Sequence, residues 1–373
     1  MTRYPRPVAR VVLAAVLAIG AAACSGGDDD DSTETTTTAA ATTTTTGTTA
    51  EPDVTTTTSR RTTTTTTEAE TTTTVAPDPV YPLTGVPVVD EVVAGRPALV
   101  VKIDNNAAAR PQNGLNAADL VFEEIVEAGT RFAAVFQSQG ADPVGPIRSG
   151  RTQDIDLLGS LNKPLFAWSG GNRNVSNAIS ASDLVDVGAP INSAYRAGGY
   201  YRSERAAPHD LYAQTSGLWT LVPLYAGPPP QQYTYRAADD PIAGEPSSGV
   251  DVDMDGFAIG WTYDASRGLY LRTHGGAPHN DATSGQISTN NVIILGVQYL
   301  PSPADARSPE AQTIGYGEAL VFSGGKVVKG TWDRSERLMS FQLKDVDGNV
   351  IALTPGRTWI ELARPATYIP RGP

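Results

Sequence analysis

Cysteine is nearly missing: Cys24 is the only one in 373 residues. The body of the chain therefore has no intrachain disulfide, no thiolate metal cluster and no cysteine nucleophile. An envelope transpeptidase of the cysteine-dependent kind is excluded with them. Histidine is scarce too, at His209, His274 and His279. There is no G-x-S-x-G, no P-loop and no G-x-G-x-x-G after a strand. Basic residues are outnumbered, for a formal charge of -12. From Pro79 onward the chain has 23 basic and 30 acidic residues, a net of -7. That balance argues against non-specific nucleic-acid binding, which needs a basic footprint. It argues equally against docking on anionic lipid through the folded surface.

What is present begins with an export signal over residues 1–23. Arg3, Arg6 and Arg10 form a positive start, and Val11 to Ala23 is apolar and uncharged. This run is shorter than the roughly 20 residues of a stop-transfer helix. It ends Ala21-Ala22-Ala23-Cys24-Ser25-Gly26-Gly27, which resembles a bacterial lipobox, departing from it at Ala21, where the pattern prefers Leu. The alternative is an ordinary A-x-A cleavage site with Cys24 incidental. The lipobox reading is favoured and predicts lipidation of Cys24, palmitate-type acylation supplying the two-chain anchoring that stable attachment needs. Asp28 to Asp31 read as a solvated charge run, and residues 32–78 are mostly Thr. Such a segment has too few large apolar side chains to offset its ordering entropy. Residues 24–78 are thus expected to act as a disordered tether with a reach of roughly 40 Å.

The rest, about 295 residues by this reading, is long for one core. The expected fold class is α+β: a mixed α/β N-terminal domain over 79–240 and a mainly antiparallel β domain over 250–373, sandwich or barrel-like. Ala98 to Asp104 reads as a buried strand ending in Asp104-Asn105-Asn106. Asp119 to Gln137 reads as a hairpin about Gly129-Thr130. Thr152 to Leu161 has helical spacing, and Asn174 to Ala181 reads as a short helix. A helix is expected from His209 to about Leu221. The Gly/Pro/Ser run 241–249 marks the boundary. From Val250 on, short strand-like runs alternate with turn signals, closing with Thr358 to Leu362.

One stretch concentrates binding chemistry. Gly145-Pro146-Ile147-Arg148-Ser149-Gly150-Arg151 places two guanidinium groups, a hydroxyl and two glycines within seven residues. Arginine grips carboxylate or phosphate with two parallel hydrogen bonds. If a helix starts at Thr152, its free N–H groups favour an anion at the same place. With Arg131, Arg110, Gln112, Asp104, Asn105, Glu123 and Glu127, this stretch makes a candidate anion-binding cleft. The competing reading is an internal ion-pair network tying the hairpin to the next helix. A second, weaker candidate combines His209, His274, His279 and Asp281. Two His and one Asp barely meet the ligand count for a cation, so hydrogen-bonded loops are expected there, with no metal and no cofactor. Trp168, Trp261, Trp332 and Trp359 are expected to pack rather than to stack on sugars.

The motifs also occur in the order of a known family. PLTG (82–85), RPALVVKIDN (96–105), ARPQNGLNAADLVFEEIVEAGTRF (109–132), GPIRSGR (145–151) and SGG (169–171) are joined by Pro208-His209, RTHGGAPHND (272–281) and GRTWIEL (356–362). On these the chain resembles the YerB-like lipoprotein family, which is defined by domains of unknown function. The resemblance implies an exported, lipid-anchored protein with an N-terminal and a C-terminal domain, and no settled activity.

The expected function is that of a membrane-anchored extracytoplasmic lipoprotein. It would bind an anionic envelope glycan, a lipid-linked precursor or another phosphate-bearing ligand through the arginine cleft. The alternatives are an envelope hydrolase or phosphoryl or glycosyl transferase, using Arg148 and Arg151 for charge and Glu123, Glu127 or Asp104 as base, and a scaffold for envelope proteins. The expected partners are the cytoplasmic membrane, through the lipid anchor, and the cell-wall ligand; nucleic acid is not among them.

Overall fold

A computed structural model describes residues 78–373. Cys24, the export signal and nearly all of the Thr-rich tether lie outside the described residues.

The β-branched runs become strands. In the N-terminal half these are β1 (Leu99–Asp104), β2 (Leu120–Val126), β3 (Gly129–Phe136), β4 (Leu165–Ala167) and β5 (Val185–Asp186). The C-terminal half adds β6 (Gly249–Asp253), β7 (Ala258–Asp264), β8 (Leu269–His274), β9 (Asn291–Gly296) and β10 (Gly315–Ser323). It ends with β11 (Lys326–Arg334), β12 (Gln342–Asp345), β13 (Thr358–Ala363) and β14 (Tyr368–Arg371). Among the described residues helices are few and short, the longest being Arg173–Ala181. The fold is α+β.

The two halves share one sheet. Its strand order is β12-β11-β10-β9-β13-β2-β3-β1-β4-β5, with Glu245–Pro246 added alongside β11. The seam is the parallel pairing of β2 with β13, where Leu120 faces Thr358 and Glu123 faces Glu361. A second sheet, built on the order β8-β7-β6-β14, packs over one face. Val250, Ile259, Trp261 and Tyr270 from it meet Val121, Phe132, Ala134 and Trp359 of the main sheet in one core. The opposite face buries Val100, Phe122, Val135, Ile360 and Leu362 under the helical segments and loops. Truncating any one of these large side chains removes about 2–5 kcal/mol.

The C-terminal strands thus do not close on themselves alone: β9–β13 extend the N-terminal sheet, and the rest form the second layer. β13 explains why. All six of its residues are buried, Trp359 and Glu361 toward one layer and Ile360 and Leu362 toward the other. A strand covered on both faces belongs in the middle of a sheet. Three local readings also change. The helix expected over 152–161 is Gln153–Leu157 followed by a 3-10 turn at Gly159–Leu161. The helix before Leu221 covers only Thr215–Trp219. Val350 to Leu353, one of the strand-like runs of the C-terminal half, makes isolated bridges through Val350 and Leu353, not a strand.

Candidate functional site

A pocket of about 280 Å³ opens where β1 ends and the β2–β3 hairpin turns. Asp104, Asn105, Arg110, Glu127, Thr130, Arg131, Arg148 and His209 all line it, beside Phe257. Local backbone geometry brings them there. Asp104 and Arg131 are register partners across β1 and β3. The 145–148 segment runs along the end of β1, with Asp104 N–H donating to the Pro146 carbonyl (2.9 Å) and Arg148 N–H to the Lys102 carbonyl (2.8 Å). Gly145 allows this approach, because a Cβ at its φ of +145° would lie 2.9 Å from the Leu211 carbonyl oxygen. Arg205 holds the histidine loop in place by donating to the backbone carbonyls of Ala108 (3.0 Å), Arg110 (3.2 Å) and Pro111 (2.9 Å).

The arginines differ in how far they are occupied. Arg151 lies outside the pocket lining, held by Glu127 through both guanidinium nitrogens and by Ser308 at 3.0 Å. Arg148 approaches Asp104 through Nε at 3.2 Å. Arg110 donates to the Asn105 carbonyl (2.9 Å) and to Asn105 Oδ1 (3.2 Å). Arg131 has no ion pair among the described residues. Its one hydrogen bond is a long 3.5 Å contact to the Ser149 carbonyl, and its buried Nε has no partner. Burial, with Arg151 and Arg148 close by, pulls the Arg131 pKa down to about 10. Ser149 therefore enters through its backbone, since it does not line the pocket. The expected helix N-terminus is not available to an anion, because Asp154 Oδ2 accepts the Arg151 N–H at 2.7 Å. Asp154 also pairs with the fully buried Lys102, which Glu124 holds from its other side.

Asp104 is the hub. Its Oδ2 takes Nδ1 of His209 at 2.6 Å, and its Oδ1 accepts the Asn106 N–H at 3.0 Å. His209, grouped by sequence with the other histidines, thus belongs to the arginine pocket.

Behind the pocket wall lies a sealed polar cluster between the two sheets. Arg272, fully buried on β8, donates to Glu123 on β2 and contacts Nδ1 of His279. Its guanidinium sits within 5.1–5.8 Å of the ring centroids of Trp359, Phe132 and Trp261. Glu123 Oε1 accepts from Thr130 (2.6 Å) and Asn105 (3.2 Å). His279 Nε2 meets Gln112 Oε1 at 2.9 Å, and Gln112 Nε2 donates to the Asp104 carbonyl at 2.9 Å. Glu361, beside Glu123 in register, accepts from Trp261 Nε1 at 2.8 Å. Desolvation and the nearby Glu123 charge push the Glu361 pKa well above the carboxylate range, so it is held neutral. Desolvation and Arg272 push His279 strongly down, and His274 falls to about 4 through burial and the charges of Arg110 and Arg272. Both are neutral rings.

Glu123, Gln112 and His279 are therefore wall-building residues with no opening to a ligand, and Asp281 is a clasp. Its Oδ2 accepts the Gly114 and Leu115 N–H groups (2.8 and 2.9 Å), and its Oδ1 accepts from Thr283 and Ser284. No group of three or more potential metal-ligating side chains occurs among the described residues. Arg272 and Glu361 did not stand out in the sequence as site residues. The available signal was a charge at an inward position of a strand, Arg272 in step with Tyr270 and Glu361 in step with Trp359.

Known proteins share this architecture. The profile described as the N-terminal domain of a protein of unknown function (DUF3048) matches residues 83–223. The profile of its C-terminal domain matches 250–360. "Putative lipoprotein YerB" of Bacillus subtilis is 26% identical over 298 residues, covering 75% of this chain and 85% of its own length. The crystal structure of the YerB protein from Bacillus subtilis superposes with a TM-score of 0.66 at 24% identity, covering 77% of this chain and 97% of that one. With both domain profiles matched in order and the same fold in a homologue, the chain belongs to the DUF3048 family of YerB-like proteins.

Proposed function

We propose that the protein is held to the outer face of the cytoplasmic membrane through a lipidated Cys24. There it binds a phosphate- or carboxylate-bearing group of an envelope glycan or lipid-linked precursor in the Arg110–Arg131–Arg148 pocket. The observation that carries this reading is Arg131: a half-buried guanidinium at a pocket, with no carboxylate partner among the described residues and one long 3.5 Å hydrogen bond to a carbonyl. Leaving such donors unmet costs free energy that an incoming anion recovers. The volume is at the small end for ligand sites, suited to an anionic head group and not to a whole saccharide chain. The name of the Bacillus subtilis relative supports the lipid anchor. No helix among the described residues is long and apolar enough to cross a membrane.

The test is retention of the purified protein on wall fragments and on vesicles carrying lipid-linked pyrophosphate precursors, with Arg131→Ala and Arg148→Ala compared with wild type. Loss of retention in both variants is expected. Equal retention by wild type and both variants refutes the pocket. Cys24→Ser is expected to leave the membrane fraction, and its persistence there refutes the anchor.

A further inference from the structure

We propose that this pocket also hydrolyses a phosphoanhydride, with His209 as general base, an inference that rests on the anion-binding reading above. Asp104 fixes the imidazole: it takes Nδ1 of His209 at 2.6 Å, and is itself held by the Asn106 N–H and by Arg148. A carboxylate on Nδ1 places the proton there and leaves the Nε2 lone pair as the basic position. His209 lines the same hollow as Arg110, Arg131 and Arg148, so a base and three cations face one ligand volume. The other carboxylates suggested by the sequence are unsuited to the role. Glu127 is engaged by Arg151 and Ser308, and Glu123 is sealed behind the wall by Arg272, Thr130 and Asn105.

The substrate class follows from what the lining omits. Among its residues no second group is placed to give a proton to a leaving oxygen: Asp104 is committed to His209, and guanidinium groups stay protonated near neutrality. An alkoxide leaves poorly without such an acid. A phosphate leaves as a stable anion, so the bond that fits is the P–O–P bridge of a diphosphate. In the step, a water oxygen forms a bond to one phosphorus while a water proton passes to His209 Nε2. The bridging P–O bond breaks, and its electron pair departs with the leaving phosphate. Arg131 and Arg148 hold the charge that develops. The imidazolium then returns its proton to solvent, and no other reactant is consumed.

The experiment uses the full chain in detergent, with EDTA present, and two probes. Geranyl diphosphate reports cleavage as released phosphate, and methylenediphosphonate, whose bridge cannot hydrolyse, reports binding. Wild type is expected to bind the phosphonate and to release phosphate. His209→Gln is expected to lower kcat about 100-fold while the phosphonate Kd stays within threefold. Asp104→Asn, a positioning change, is expected to lower kcat more than it alters KM. Arg131→Ala is expected to weaken phosphonate binding at least tenfold. Phosphonate binding without phosphate release by wild type, or full activity in His209→Gln, overturns the hydrolysis and leaves the binding reading standing. No phosphonate binding by wild type overturns both.

Discussion

Arg272 and Arg131 make an instructive pair. Both are arginines on strands, both are removed at least partly from water, and only a layer of side chains separates their surroundings. Arg272 has a buried carboxylate, an imidazole nitrogen and three aromatic rings around it (Glu123, His279, Trp359, Phe132 and Trp261), its Nε alone unmatched. Arg131 is met by one distant carbonyl. A buried charge neutralised by its own carboxylate holds two sheets in register, and removing a partner strands the other charge. One without a carboxylate at an opening has binding capacity to spare. The residue type is the same, and the bookkeeping of partners separates structure from site.

The comparison breaks most sharply at Arg272. Arg272→Ala leaves Glu123 ionised without its cation, and a loss of about 3–5 kcal/mol is expected in urea unfolding. A loss below about 1 kcal/mol would mean that the cluster is not sealed. Arg131→Ala should do the reverse: stability is expected within about 0.5 kcal/mol of wild type, while affinity for methylenediphosphonate falls at least tenfold. A large drop in the unfolding midpoint with intact binding would exchange the two roles.

Titration sharpens the contrast. The folded-state pKa of His279 is lowered, so its neutral form is native and the unfolded chain takes up more protons as pH falls. Stability is therefore lost as pH drops below the ordinary imidazole range, at up to about 1.4 kcal/mol per pH unit. His279→Gln is expected to flatten that acid limb of a stability profile. Glu361 has the opposite sign. Its folded pKa is raised, so the native state keeps a proton that the unfolded chain releases, and stability declines as pH rises above the ordinary carboxylate range. Glu361→Gln, which keeps the neutral shape, is expected to leave stability unchanged at pH 4 and to raise it at pH 7.5. A fall at pH 7.5 would show that an ionised Glu361 is part of the cluster.

Much of this was legible in the chain. Ala98 to Asp104 and the hairpin about Gly129 follow from β-branched runs and a turn signal, and β1, β2 and β3 lie there. Asp104, Asn105, Arg110, Glu127, Arg131 and Arg148 were grouped from sequence, and they line one pocket. The partners were harder. Nothing local tells that Arg151 closes on Glu127 and Ser308 while Arg131 finds no carboxylate, since that depends on a hairpin far downstream, between residues 299 and 311. The seam between β2 and β13 was also hidden. Parallel pairing across some 240 residues leaves no turn between its strands, and periodicity reports only which faces are buried.

That seam has a consequence for biogenesis. β13, a strand in the middle of the main sheet, is made some 240 residues after the β2 strand it pairs with. Until it arrives, Leu120–Val126 presents a bare edge of unpaired amides, an invitation to sticky intermolecular pairing. A product truncated before Thr358 would carry that edge permanently, so closure of the main sheet awaits delivery of β13.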